Sequence, residues 1–317
     1  MWSYLLRRAP SALLVLLISS VVIFFVLRLA PGDPAVLVAG PDASAETIEA
    51  VRRQLGLDRG IVSQYLTWIS GLLTGDLGRS YVLGAPIAQL IATGAAGTLT
   101  LTAAACVIAA LGGGLAGVIL ATTGNRWLRS VVDALTSLAF AVPTYVSGVL
   151  LVLVFAVTLR ILPASGQYPG GFWSAPDLAL QYLLMPAVCL ALPAAAVVAR
   201  FLAAAMRSTL DEDFIQTGVA KGLSKRRNTM RHVLPNSLPP VVTVFGIQVG
   251  QMLGGAIVVE AIFAWPGVGQ LLLQGVLNRD YLLVQDLLLL AVTVFVVIQL
   301  LTDIVHALID PRIRETL

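Results

Sequence analysis

The sequence predicts an all-α protein that crosses a membrane with about six helices. Three observations carry that prediction. The 317 residues are 58% hydrophobic and only 12% charged, about half the charge of a soluble domain and too little to cover a water-facing surface. The mean hydropathy is +0.90. The apolar residues fall in long uncharged runs without the alternation of barrel strands, and inside lipid such a run must satisfy its own backbone groups as a helix.

The first helix follows Arg7 and Arg8 as an uncharged run from Ala9 to Leu27. It exceeds the ~7–15-residue apolar core of a signal peptide and approaches the ~20 residues that cross a bilayer, so it reads as an uncleaved span. The second span runs from about Leu99 to Ala121, the third from Ala134 to Leu159, and the fourth from Leu178 to Ala199 and on to Met206. The fifth lies within Val233 to Val259, where Pro235, with Pro239 and Pro240, sets the opening turn. The sixth runs from Leu287 to Leu308, with Asp303 and His306 towards one end. Six spans leave both termini on one side. That side holds Arg7, Arg8, Arg126, Arg129, Arg200, Arg207, Lys221, Lys225, Arg226, Arg227, Arg231, Arg312 and Arg314; the other holds Arg28, Arg52, Arg53, Arg59, Arg79, Arg160 and Arg279. The balance is thirteen to seven, and four of the seven sit in one long loop, which counts little towards orientation. The termini are therefore expected in the cytoplasm.

Residues 31–95 form a long external segment between an N-terminal tail with the first helix (1–30) and a transmembrane core (96–317). Within it Ser44 can cap a short helix reaching Gln54, with Glu46, Ile48 and Val51 at helical spacing. Residues 161–177 form a Pro- and Gly-rich external loop, and residues 207–236 the most charged cytoplasmic loop. There Thr209 and Glu212 have capping-box spacing, and Asp211, Glu212 and Asp213 suit a helix N-terminus. Leu210, Phe214 and Gly218 recur every four residues beside Ile215 and Val219, and Gly222, after Lys221, can end a helix in the left-handed conformation. A short amphipathic helix over about 210–221 follows. Its apolar stripe packs on its own bundle, lies on lipid or docks on a partner.

Little in the chain suggests covalent chemistry. Cys106 and Cys189 are isolated in apolar runs and form neither a disulfide framework nor a zinc site; they read as small apolar fillers. His232 and His306 belong to no His-Glu-x-x-His, and no Gly-x-Ser-x-Gly occurs. An ATP-binding phosphate loop needs Gly, four residues and Gly-Lys-Ser/Thr, but Lys221 is followed by Gly222 and Lys225 by Arg226. Asp133, Glu260, Asp286 and Asp303 lie near span ends, not at the mid-membrane depth expected of an ion-coupled carrier. Gln248 and Gln251 are polar at membrane depth and favour a wet or protein-lined face, as in a translocation path. Gly246, Gly250 and Gly254 share one helix face and allow close approach, either within the subunit or to a neighbouring helix that slides during gating.

Gln216-Thr217-Gly218, three residues, Gly222, nine residues and then His232-Val233-Leu234-Pro235 resembles the cytoplasmic "EAA" loop of ABC importer permeases. Gln216 replaces the acidic residue and Gly218 an alanine; Gly222, Leu234 and Pro235 match. Further segments, in order along nearly the whole chain, are similar to the B-type permease of dipeptide and oligopeptide importers: Pro31-Gly32-Asp33-Pro34, Leu55-Gly56-Leu57-Asp58, Gln64-Tyr65-Leu66, Gly75-Asp76-Leu77-Gly78 with Ser80, Thr98-Leu99-Thr100-Leu101, Leu162-Pro163-Ala164-Ser165-Gly166, Glu260 and Phe263 with Trp265-Pro266-Gly267-Val268-Gly269, and Asp310-Pro311-Arg312-Ile313. The resemblance implies a type I ABC importer permease-like bundle in the cytoplasmic membrane, forming the path for peptides delivered by an extracytoplasmic substrate-binding protein. It implies a second homologous permease subunit and two ATPase subunits or domains that carry ATP and magnesium, with no cofactor in this chain and no nucleic-acid partner. It also implies that Phe214, Ile215, Gln216, Thr217, Gly218, Lys221, Gly222, Leu234 and Pro235 couple the permease to its ATPase. Relatives of that branch carry dipeptides, oligopeptides and in some cases nickel, glutathione or haem. The residues alone leave a stand-alone secondary transporter or channel as the alternative.

Overall fold

The computed structural model describes residues 2–29, 32–40 and 42–309, with side chains over 10–29, 32–40 and 42–301. Pro31, Asp310-Pro311-Arg312-Ile313 and Arg314, and the side chains of Arg7, Arg8, Asp303 and His306, lie outside the described residues. In chain order the helices are α1 (Trp2–Leu29), α2 (Pro34–Ala39), α3 (Ala45–Gln54), α4 (Ile61–Thr74), α5 (Ile87–Thr122), α6 (Arg126–Ala141), α7 (Thr144–Leu151), α8 (Pro176–Leu210), α9 (Asp213–Ala220), α10 (Lys225–Asn228), α11 (Leu234–Phe263), α12 (Val268–Leu277) and α13 (Tyr281–Ile309). Among the described residues five helical runs are long and apolar enough to cross a membrane, and a sixth span results if the bent pair around Pro143 is counted as one. The fold is all-α and polytopic, as expected.

Three spans differ from the expectation. The second begins at Ile87, well before Leu99, because Gly94 and Gly97, which weaken a helix in isolation, are held there by tertiary contact. The third is not one rod from Ala134 to Leu159. It breaks between α6 and α7 through 111°, where Val142 is extended (φ −79°, ψ 124°) ahead of Pro143, since proline disfavours the helical region for the residue before it. α7 then widens over Val152–Thr158, where Leu159 N–H reaches back five residues to Val154 O. The fifth does not open at Pro235. Helix already runs from Lys225, and the run to Phe263 is 39 residues. Leu234 N–H bonds Thr229 O, five residues back. That wider turn makes room for the Pro235 ring, which would otherwise press on the carbonyl four residues earlier.

The chain forms two compact units. In the first, Thr98–Trp265 with the helical residues from Val297, α11 packs on α8 and α6 on α8. Its core joins Leu101 and Ala105 of α5, Leu183 and Leu190 of α8, and Met252 and Phe263 of α11. Small residues set the α5–α8 spacing: a Cβ at Gly113 would lie 2.6 Å from Ala195 O, and one at Gly117 2.9 Å from Ala199 O. The second unit, Trp2–Gly97 with Pro266–Val296, buries Ile87, Leu271, Leu283 and Leu287 together. There α3 is capped by Ser44, whose Oγ accepts from Thr47 N, as the sequence suggested.

Candidate functional site

The residues of the 207–236 loop are assembled on one short helix and its supports. α9 spans Asp213–Ala220 rather than 210–221. Leu210 ends α8, and the expected capping box does not form: Thr209 Oγ1 donates to Ala205 O within α8, and Glu212 makes no side-chain cap bond. Gly222 does take the left-handed conformation, φ +81°. The apolar stripe divides. Ile215 is 3% exposed and packs among Val198, Leu202, Met206 and Val233, whereas Phe214 is 50% and Val219 60% exposed. A helix advances about 100° per residue, so neighbours in sequence cannot share one face; Ile215 anchors α9 to its own bundle and Phe214 points elsewhere.

Asn228, which the sequence reading passed over, is the second anchor. It is 4% exposed, and its Nδ2 donates to Ile215 O at 3.1 Å. Gly218 admits it: a Cβ there would meet Asn228 Oδ1 at 3.2 Å and Leu223 Cδ1 at 3.3 Å. The absence of a methyl at Gly218, where the resemblance leads one to expect alanine, thus has a local reason. The only early signal was Ser224, which caps α10 by accepting from Arg227 N and so fixes where Asn228 falls. Gln216, Thr217 and Lys221 are exposed beside Phe214, Leu234 is half-buried, and Pro235 is exposed. Lys221, Lys225, Arg226, Arg227 and Arg231 are all exposed around them.

The membrane-depth residues are not brought together with that loop. Gln248 is buried and Gln251 exposed on α11. Of the three spaced glycines, Gly246 is half-buried and Gly250 is buried, with a Cβ falling 3.4 Å from Ile298 Cγ2, an ordinary contact; Gly254 is exposed, with nothing within 4 Å of a Cβ. Close glycine approach occurs elsewhere. A Cβ at Gly97 would fall 1.9 Å from Pro266 O, and one at Gly94 3.2 Å from Gly267 C. Pro266, Gly267 and Val268 thus pack backbone on backbone against α5. Upstream of them lies a left-handed residue, Ala264 (φ +45°), and Trp265 N–H closes the end of α11 on Glu260 O. Glu260 itself is fully buried and accepts from Thr98 Oγ1 at 2.6 Å.

Buried acids also organise the second unit. Asp280 caps α13 through Leu283 N and receives Ser80 Oγ at 2.5 Å and Val82 N at 3.2 Å. Asp286 receives Trp68 Nε1 at 2.6 Å. Ser80 of the Gly-Asp-Leu-Gly segment is therefore a tie to α13, separated from it by 200 positions in sequence. Among the described residues no cluster of His, Cys, Asp and Glu could hold a metal ion.

This architecture has counterparts among known proteins. The family model described as binding-protein-dependent transport system inner membrane component matches residues 113–315, and its N-terminal companion matches residues 1–91. The glutathione transport system permease protein GsiC of Escherichia coli is 40% identical over 316 residues, covering 99% of both chains, and that of Shigella dysenteriae serotype 1 matches equally. Among solved structures, the inward-facing MetNI methionine ABC transporter aligns with a TM-score of 0.58 at 21% identity, over 71% of this chain and 98% of that one. An amino acid ABC transporter with histidines aligns at 0.53 and 16%, over 69% and 94%. At those identities the structures speak for the fold.

Proposed function

The chain belongs to the family of binding-protein-dependent transport system inner membrane components, as the permease subunit of an ABC importer and not an enzyme, and on that premise we propose that it forms part of the path by which peptides cross the cytoplasmic membrane. The peptide class is supported by the relatives, whose printed cargo, glutathione, is itself a small peptide. Members of such systems work in multi-subunit complexes. For this chain the partners are a second permease of the same fold, two ATPase subunits that hold ATP and magnesium, and an extracytoplasmic substrate-binding protein. The termini lie in the cytoplasm, residues 31–95 lie outside, and residues 96–317 form the conducting core, with the exposed Gln251 facing the path and Gln248 buried within the chain. Of the three spaced glycines, Gly254 faces a helix of the second permease, a reading supported by the open space around it, while Gly250 packs on Ile298 within this chain and Gly246 is half-buried.

The observation that carries the mechanism is the division of α9. ATP is hydrolysed on another chain, so force has to arrive through a surface element whose ends are held. Ile215 and Asn228 hold α9 to α8 and α10, while Phe214 leaves an aromatic ring half in solvent. Phe214 inserts into the ATPase; Gln216, Thr217 and Lys221 flank it; Gly218 and Gly222 shape the helix and its exit; Leu234 and Pro235 pass the motion to α11. A charge at Phe214 would have to be desolvated on docking. Phe214→Asp is expected to leave membrane insertion intact, to reduce ATPase co-purification by about tenfold or more, and to abolish ATP-dependent peptide uptake. Wild-type levels of both would remove α9 as the docking element.

A further inference from the structure

The second unit holds a cleft of about 690 Å³ between the end of α1, the segments around α3 and α4, and the start of α13. Its size is that of a small-molecule site, typically about 300–1,000 Å³. Three cations, Arg28, Arg52 and Arg59, line it against two carboxylates, Asp33 and Asp76, with Tyr81 and Gln285. Arg52 is neutralised by Asp33 at 2.5 Å. Arg28 is not. Its Nε and Nη2 both donate to the amide oxygen of Gln64, Nη1 to Phe24 O, and its guanidinium lies over the Phe24 ring, 3.4 Å from the centroid. Those neutral partners leave a half-buried cation with no carboxylate within ion-pair distance among the described residues, so its charge is available to an anion. Gln285 of α13, which also lines the cleft, is 2% exposed, and its Oε1 has no hydrogen-bond partner.

What the cleft adjoins narrows the ligand. Arg28 belongs to the last turn of α1, and that helix exposes Val21, Val22, Phe25, Val26 and Leu29, an apolar side suited to acyl chains. A polar cleft with an uncompensated cation at the end of such a helix sits at headgroup depth. We propose that this cleft binds the headgroup of a membrane phospholipid, with the phosphate on Arg28 and Arg59 and a hydroxyl or ammonium beyond it turned towards Gln285. The acyl chains lie along the exposed side of α1. Tyr81 remains a neutral donor at the rim, because burial first and the Asp280 carboxylate second push its pKa up to about 12. The site is independent of the peptide-transport reading, since it uses no residue of α9 or α11.

The test is native mass spectrometry of the delipidated full-length protein in detergent, titrated separately with dioleoyl-phosphatidylglycerol and with inorganic phosphate. Wild type is expected to retain one phospholipid at concentrations where inorganic phosphate gives no adduct. Losing a charge-assisted contact to phosphate should weaken retention about tenfold in Arg28→Gln, whereas Arg28→Lys keeps most of it and shows that the fold survives change at this position. Arg59→Gln should lower retention as well. Undiminished lipid retention in the Arg28→Gln, Arg59→Gln double variant, or phosphate binding as tightly as the lipid, would overturn the proposal.

Discussion

Asn228 shows how one buried amide can decide whether a surface helix is a rigid part or a loose flap. Its bond to Ile215 O spans the turn at Gly222, so α9 and α10 move as a piece. Replacing it with Ala removes a bond worth about 1 kcal/mol net and opens space beside Gly218. Amide hydrogen exchange across 213–220 is expected to quicken about fivefold, with the rest of the bundle unchanged; unchanged protection in α9 would mean that Ile215 alone holds it. The left-handed Gly222 was legible in the sequence because its role is local. The fates of Phe214 and Ile215 were not, because the apolar count of a short helix does not say which residue meets the bundle. Asn228 was hidden for another reason: within Lys225-Arg226-Arg227 it reads as one more solvated polar residue.

At the scale of elements, glycine spacing proved a weaker guide than glycine surroundings. Gly246, Gly250 and Gly254 have the regular step, yet a far tighter contact belongs to Gly97, which faces the backbone of Pro266. That pairing joins positions far apart in sequence, so no periodicity could announce it, whereas the bend of the third span was marked by Pro143. A Cβ at Gly97 cannot be absorbed by a flexible side chain, and overpacking of this kind costs about 1–3 kcal/mol. Gly97→Ala is expected to lower thermal stability in detergent by several degrees, and Gly254→Ala to leave it within error. A large loss in Gly254→Ala measured on the isolated subunit would show that α11 is closely packed at this position within the chain. The buried acids follow the same logic: Asp286 and Glu260 look from sequence like span-end charges, and they serve as acceptors for Trp68 and Thr98.

For the whole molecule, composition and charge distribution indicated the number of spans and the family motifs their order. The thirteen-to-seven basic asymmetry gives a direct prediction of orientation. With Cys106 and Cys189 replaced by Ala, a cysteine introduced at Ser44 should react with an impermeant maleimide from outside intact cells, and one at Ser224 only after permeabilisation; reaction of both from outside would invert the topology. What composition could not foresee is that α10, the wide turn after it and α11 join into one helical run of 39 residues. At about 1.5 Å per residue that run is roughly 58 Å long. It behaves as a lever: a tilt imposed near Lys225 reappears, magnified by its length, near Phe263, where α11 ends against Trp265. Its stiffness is interrupted at Thr229–Val233, where the hydrogen bonds skip to the fifth residue. Compliance is therefore concentrated at the Lys225 end, in that turn and at Pro239 and Pro240, which withdraw two more N–H donors from the ladder, so the tilt that reaches Phe263 depends on whether this stretch tightens or yields before the rod as a whole begins to swing.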